Sequence, residues 1–398
     1  MPSDITCSVS ETLSGKTIVV GVTGSIAAVR VVDLIRDLIR RGAEVHCVMS
    51  ASAQQILHPY ALEYASDHAV ITEITGRVEH VQFCGVGGLA DLLLIAPATA
   101  NTIGKMACGI DDTPVTTFAT TALGSGKRVA VVPAMHEAMY RHPAVLRNLQ
   151  KLKEMGVVLI DPRIEEGKAK IADNLQVVRE MERLLGPADL AGKRIVITSG
   201  SNAEAIDPIR ILTNRASGKT GVALALEARR RGAEVTLVHR FRQDIPVRQV
   251  YAESAKDMLD AVLAELEKGC DALISAAAVA DYTLDPMAEK IKSGQELVLH
   301  FKPTQKIIKT VREAYPHLKI VGFKAETGVT DEELAHRAQR SMQGAGLDLV
   351  VANDVARGGM GTDDNRVLII DRLVQRKSAE GKKSLIAKTI MDALVEIL

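Results

Sequence analysis

Short apolar runs alternate with amphipathic stretches along the whole chain. In the first half TIVVGV (17–22), EVHCVMS (44–50), AVITEIT (69–75), DLLLIAP (91–97) and RVAVVPA (128–134) are near-continuous hydrophobic segments. Such runs predict strands of a parallel sheet covered on both faces. VRVVDLIRDLIRRGA (29–43) has apolar residues at helical spacing and Gly42 near its end, which predicts a helix between the first two strands. ADNLQVVREMERLL (172–185) predicts the helix that closes this half, and GPADLAGKR (186–194) reads as a linker. The pattern then restarts. RIVITSG, EVTLVHR, DALISAAAVAD, KIVGFKAET, LDLVVAND and RVLIID predict strands, with helices at KTGVALALEARRRGA and SLIAKTIMDALVEIL. RRGAEVHCV and RRGAEVTLV are nearly the same local unit, one in each half. The pattern predicts two doubly wound, Rossmann-like α/β domains with mainly parallel sheets, residues 1–187 and 188–398.

Composition narrows the function classes. The 398 residues carry a formal net charge of zero and no Trp, and aromatic residues make up 3%. Neither a nucleic-acid partner nor an anionic membrane surface is expected. The five cysteines (Cys7, Cys47, Cys84, Cys108 and Cys270) form no CxxC pair. That argues against a zinc ribbon or disulfide framework and for a reducing compartment. The first residues lack a basic and apolar leader pattern, and no apolar run reaches 18 residues, so a cytoplasmic protein is expected.

Two strings carry candidate chemistry in the first half. GVTGSIAAVR (21–30) follows the first strand and opens a helix, where free backbone N–H groups favour a phosphate. Thr23 and Ser25 interrupt the GxGxxG dinucleotide fingerprint, so a mononucleotide phosphate fits the turn better; an ordinary βα turn is the alternative. PATANTIGKMACGIDD (97–112) places Asn101 just past the carboxyl end of an apolar strand, where open α/β sheets bind ligands. SGKTG in the second half lacks the upstream Gly of a phosphate-binding P-loop, since Thr213 occupies that position. GGMGTDDN (358–365) does not match calcium-loop spacing and reads as a loop closing over a site.

Taken in order, GVTGSIAAVR, His80 in EHVQF, PATAN and PAMHEAM (133–139) resemble the flavin-dependent cysteine decarboxylases. ITSGSNAEAIDPIRILTNRASGKTG (197–221), SAAAVADY (275–282), EKIK (289–292) and VANDV (351–355) resemble phosphopantothenate–cysteine ligases. The resemblance covers nearly the whole chain and is closest to the fused, archaeal-type enzymes of coenzyme A biosynthesis. It implies a flavodoxin-like FMN domain followed by a ligase domain.

In the first domain the resemblance implies that Thr23, Gly24, Ser25, Ile26 and Ser50 hold FMN. It makes Asn101 the carboxylate-binding group, His80 a base, and Met135 and His136 substrate contacts. His136 departs from the family carboxamide. The family's flap cysteine is absent from DPRIEEGKAKIADN (161–174), which leaves Glu165, Glu166, Lys168 and Lys170 as candidate proton donors. In the second domain it implies that Asn214 and Lys290 act on an acyl-nucleotide. Ala277, Asp281, Lys292, Phe323, Asn353 and Asp354 line the nucleotide pocket, with CTP as nucleotide and Asp281 as a ligand to Mg²⁺. The resemblance also implies the family's threefold contacts through the flavin domain and twofold contacts through the ligase domain, and so a homo-oligomer, plausibly a dodecamer. Two other readings compete. One is a flavin-binding regulatory protein that has lost catalysis; the other is a peptidyl-cysteine decarboxylase, which leaves the second domain without a purpose.

Overall fold

The computed structural model describes residues 4–161, 163–165, 168–170, 172–292, 294, 296–359 and 361–398, with 163–165 and 168–170 as backbone only. The chain divides into two compact units, Met1–Gly186 and Pro187–Leu398.

The first unit is built on β1 (Thr17–Val22), β2 (Glu44–Met49), β3 (Leu92–Ala98), β4 (Arg128–Pro133) and β5 (Val158–Leu159). These five strands are all parallel, in the order β2-β1-β3-β4-β5. This is the flavodoxin-like order, with its switch point between β1 and β3. Helices cover both faces. Val31–Ile39 and Asn174–Leu184 pack on one face around Ile18, Val20 and Leu94. Ala100–Cys108, Pro114–Gly124 and Pro143–Glu154 pack on the other around Val19, Leu93 and Phe118. Two covered faces explain why β3 is buried along its whole length and shows no alternation. A backbone hairpin, β6 (Arg163–Glu165) against β7 (Lys168–Lys170), follows β5.

AVITEIT does not form the expected strand. Only Ile71 pairs, as an isolated bridge beside Val48, exchanging backbone bonds with Cys47 and Met49. The run lies on the outer side of β2 with no further strand to extend it, so one bridge is all its backbone gains.

The second unit contains β8 (Arg194–Ser199), a hairpin of β9 (Ala203–Ala205) and β10 (Ile211–Thr213), β11 (Glu234–His239), β12 (Arg248–Tyr251) and β13 (Ala272–Ser275). β14 (Tyr282–Thr283) pairs with β15 (Lys302–Pro303), and β16 (Lys319–Glu326), β17 (Leu349–Asp354), β18 (Asp364–Asp371) and β19 (Arg376–Lys382) complete the set. The main sheet runs β12-β11-β8-β13-β16-β17-β18-β19, with only the β17–β18 and β18–β19 pairings antiparallel. Its first six strands follow the Rossmann order, and the switch point lies between β8 and β13. Lys219–Arg230 and Lys383–Val395 cover one face; Ala255–Leu266 and Asp331–Ala345 lie on the other. DALISAAAVAD contributes a strand only to Ser275, and Ala276–Asp281 leaves the sheet as a loop.

The repeated RRGAEV phrase folds alike in both units. Gly42 and Gly232 both end a helix at positive φ, 93° and 94°. The next residue's N–H returns to the helix, Ala43 to Leu38 and Ala233 to Ala228. A side chain at either glycine would strain that left-handed turn.

Candidate functional site

At the first switch point the ends of β1 and β3 are tied together by one hydroxyl. Thr23 Oγ1 donates to the Pro97 carbonyl at 2.7 Å and accepts from the Thr99 N–H at 3.1 Å. Thr23 is buried, so its side chain shapes the turn and leaves ligand contacts to its neighbours. Ser25 caps a 3₁₀ turn, Ile26–Arg30, that precedes the helix proper. The first N–H groups of such a turn lack intrahelical partners and suit an anion. Gly24 is required by packing: a Cβ there would meet Ser52 Oγ at 2.5 Å. Ser50, at the end of β2, caps the next helix and sits 3.1 Å from Ser52 Oγ. Ile26 is exposed.

Thr99 caps Ala100–Cys108, accepting from Thr102 N–H at 3.3 Å. That leaves Asn101, the second residue of this helix, exposed and free of side-chain hydrogen bonds among the described residues. Past β4, Met135 packs on the core around Ile95 and Phe118. His136 caps Glu137–Tyr140 through Nδ1, which accepts from Ala138 N–H at 3.4 Å. An imidazole thus takes a cap position that a carboxamide also fills well. With Nδ1 accepting, Nε2 carries the proton and can donate. Thr23, Ser25, Ser50, Asn101, Met135 and His136 therefore all follow the carboxyl ends of four adjacent strands.

His80 sits in the first turn of Glu79–Cys84, in the β2–β3 connection. Its Nδ1 is buried with no hydrogen-bond partner among the described residues. Buried polar atoms are rarely left alone, so this one calls for a partner the protein does not supply. The residue before this helix, Val78, has φ 47° and ψ 52°. A β-branched side chain is strained there, two residues ahead of His80 in the chain. The side chains of Glu165, Lys168 and Lys170, and all of Glu166, lie outside the described residues.

The second switch point joins two motifs far apart in sequence. Ser201 bridges to Ala278, and Ala278 N–H donates to the Gly200 carbonyl at 2.8 Å. Ala277 N–H donates to Thr198 Oγ1 at 3.2 Å. Asn214 Nδ2 donates to the Ala278 carbonyl at 2.9 Å, which brings TNRASGK against SAAAVAD. Gly221 lets the next helix start close by, since a Cβ would lie 2.3 Å from Ser199 Oγ. Residues of the GGMGTDDN loop are anchored at that helix start: Lys219 Nζ donates to Asp363 Oδ1 at 2.7 Å and to the Gly361 carbonyl at 3.3 Å.

Other residues of the motif set fall into different positions. Asp281 is exposed and its carboxylate pairs with Lys306. Lys290 and Lys292 are exposed and have no ion-pair partner among the described residues. Asn353 and Asp354 end β17, as the sequence suggests. Asp354 Oδ1 is occupied by Gly328 and Ala356 N–H groups at 2.9 and 3.0 Å. Burial opposes its ionisation, but those N–H bonds and the Arg357 charge more than offset this and hold its pKa below the usual range. Phe323 lies within β16, three residues before its end, and its ring packs on the core with Ile197 and Val351.

Sequence reasoning missed a buried polar framework. Asn202 donates to Glu204 Oε1 at 2.5 Å and accepts from Ala280 N–H at 2.7 Å. Glu204 also accepts from Ala255 N–H and Thr283 Oγ1. Asp207 accepts from Ile209, Arg210 and Ile291 N–H groups at 2.8, 2.7 and 3.1 Å and pairs with the Arg210 guanidinium. Arg210 Nη1 donates to the Ile291 carbonyl at 3.2 Å. Both backbone groups of Ile291 are thus clamped, with Lys290 and Lys292 on either side. The signal was present as DPIR, an Asp followed by turn formers, but its partner lies 84 residues away.

Burial alone would raise the Asp207 pKa. The N–H groups of Ile209, Ile291 and Arg210 and the guanidinium more than offset it, holding the carboxyl well below the usual range. Asp207 therefore stabilises the fold above the unfolded carboxylate pKa of about 3.9, and that contribution is lost as pH falls below it. Thermal melts of Asp207→Asn should start lower at neutral pH and fall less steeply than wild type below about pH 4. Parallel curves would remove the carboxylate from this role.

The geometry defines a class: a two-module α/β protein with a switch point in each sheet, where open α/β sheets bind ligands. Residues 6–186 match the family described as Flavoprotein, and residues 190–398 match that described as DNA/pantothenate metabolism flavoprotein C-terminal domain. The coenzyme A biosynthesis bifunctional protein CoaBC of Thermococcus kodakarensis is 49% identical over 98% of this chain and 97% of its own length. That of Methanocaldococcus jannaschii is 37% identical over 94% and 93%. A crystal structure of the C-terminal domain of a CoaBC protein is 31% identical, covers 53% of this chain and 97% of that one, and superposes with a TM-score of 0.45. The chain belongs to the family of coenzyme A biosynthesis bifunctional proteins. It is an enzyme, with its flavoprotein decarboxylase module ahead of its ligase module. No helix among the described residues is long and apolar enough to cross a membrane.

Proposed function

We propose that the second module joins 4′-phosphopantothenate to L-cysteine through an acyl-cytidylate made from CTP. The first module then decarboxylates 4′-phosphopantothenoyl-L-cysteine to 4′-phosphopantetheine with FMN. The observation that supports this reading is the pair of switch points, each with an exposed carboxamide, Asn101 and Asn214, beside it.

The residues of the first module fit FMN. The turn after Thr23 offers N–H groups for its phosphate, with Ser25 and Ser50 beside it, and the unpartnered His80 Nδ1 is an atom in need of a ligand. Bound FMN supplies the electron sink that an unactivated cysteine carboxylate needs before CO2 can leave. Asn101 donates through Nδ2 to that carboxylate and fixes its orientation. His80 acts as the base that takes the thiol proton. Met135 walls the substrate and His136 donates through Nε2.

In the ligase module Asn214 orients the acyl-nucleotide, and Lys290 and Lys292 supply positive charge to phosphates. Asn353 lies at the nucleotide side, and Asp354 holds its loop. Asp281 does not make a Mg²⁺ site by itself. Its carboxylate is already paired with Lys306, and no cluster of metal-ligating groups surrounds it among the described residues. The experiment is direct: purified protein should be yellow, should ligate cysteine with CTP, and should release CO2 from phosphopantothenoylcysteine. Colourless protein without CO2 release overturns the reading. Light scattering should give a closed oligomer, plausibly a dodecamer; a monomer would reject that part.

The remaining cysteines are poor replacements for the missing flap thiol. Burial pushes the Cys47 and Cys84 thiols up to about 12, too high to act as acids near neutrality. Cys108 is exposed at the far end of its helix from Asn101. We expect every single Cys→Ser variant to form phosphopantetheine. A Cys108→Ser enzyme that releases CO2 but stalls before the reduced product would show a relocated acid.

A further inference from the structure

We propose that Glu44, His46 and His68 form a zinc-class metal site on the first module, separate from its substrate machinery. A carboxylate oxygen and one ring nitrogen from each histidine lie within 4.8 Å of one another, the only such group among the described residues. Glu44 Oε1 is 3.1 Å from His46 Nε2 and 3.8 Å from His68 Nε2. Two ligands on a tetrahedral zinc ion, each about 2.0–2.1 Å from the metal, stand roughly 3.3 Å apart. These two separations bracket that value; the two rings are stacked at 4.1 Å, so binding requires the His68 ring to turn until both lone pairs point at one ion.

The donors come from two segments that the fold holds in place. Glu44 and His46 stand two residues apart on β2 and so share one face of the strand. His68 follows the left-handed turn at Asp67, where Ser66 Oγ accepts its N–H at 3.3 Å. The His46 ring lies between His68, stacked at 4.1 Å, and Phe83 at 4.5 Å, so its orientation is set by packing. Glu44 has no Lys or Arg partner among the described residues, which leaves its carboxylate for the imidazoles or a cation. Its side chain is 57% exposed, which leaves the fourth ligand position to water.

Two histidines and a carboxylate suit Zn²⁺ or a similar borderline cation better than Mg²⁺ or Ca²⁺, which prefer all-oxygen sets. The site lies at the amino end of β2, and Ser50 follows its carboxyl end. Six residues of strand span about 20 Å. The ion would therefore act as a staple between β2 and the 66–68 turn, at the opposite end of β2 from Ser50.

The test uses the full-length, flavin-retaining enzyme after dialysis against a chelator, titrated with Zn²⁺ by calorimetry and with Co²⁺ by visible absorption. We expect one Zn²⁺ per chain, a tetrahedral Co²⁺ spectrum, and a Tm that rises with Zn²⁺. His68→Gln and Glu44→Gln, each checked for native circular dichroism and unchanged decarboxylation, should lower affinity about tenfold or more. They should also lose the Co²⁺ bands and the Tm shift. No uptake by wild type overturns the proposal. So does equal uptake by wild type and both variants, which would place the ion on other groups.

Discussion

Asn101→Ala should leave FMN bound and abolish CO2 release, while ligation continues at the wild-type rate. Thr99, not Asn101, caps the helix, and the Asn101 side chain makes no hydrogen bond within the described residues. Removing it therefore costs the fold little, within about 0.5 kcal/mol for an exposed site of this kind. The loss falls on substrate. A contact that orients the reacting group, once lost, costs about 10² or more in rate. Flavin absorbance, CO2 evolution and cysteine-dependent pyrophosphate release, measured on one preparation, separate the effects. CO2 release at the normal rate would remove Asn101 from the carboxylate. Loss of flavin together with activity would place it in the FMN cradle instead.

Asn214→Ala should show the opposite pattern, with amide formation impaired about a hundredfold or more and flavin chemistry intact. Its carboxamide does two things. Nδ2 already holds the Ala278 carbonyl at 2.9 Å, which keeps the loop after β13 against the loop after β10. Oδ1 faces no partner within the described residues and remains for substrate. Asn214→Asp keeps the size and loses the donor, so it should fail as alanine does if the Nδ2 bond matters. If Asp retains ligation and Ala does not, the acceptor oxygen carries the role. Normal pyrophosphate release by both variants would show that TNRASGK does not handle the nucleotide.

Much of this architecture is legible because the chemistry of a doubly wound sheet is local. A strand covered on both faces must be apolar throughout, so DLLLIAP and RIVITSG announce themselves. A helix that returns to the sheet needs a left-handed stop, so RRGAEV marks the same corner twice. Asn101 is legible for the same reason: a strand end, a Thr cap and an exposed carboxamide are all encoded within ten residues. AVITEIT and SAAAVAD mislead because apolar character does not reveal whether a neighbouring strand exists to pair with. The first lies beyond the edge of its sheet, and the second leaves the sheet to close a switch point.

The sequence by itself determined the two-module α/β plan, the position of each switch-point motif and the residue types found there, since these follow from periodicity and short motifs. Only the tertiary structure decided which of those side chains are available. Thr23 is spent on tying β1 to β3, Asp354 on tying the loop after β16 to its own and Asp281 on Lys306, whereas Asn101, Lys290 and Lys292 remain open. It also revealed Asp207 clamping Ile291 from 84 residues away, and Glu44, His46 and His68 gathered at the amino end of β2. Hydrogen bonds and metal-ligand sets depend on distances of a few ångströms between chain-distant atoms. Local patterning carries no information about those distances until the sheet order is fixed.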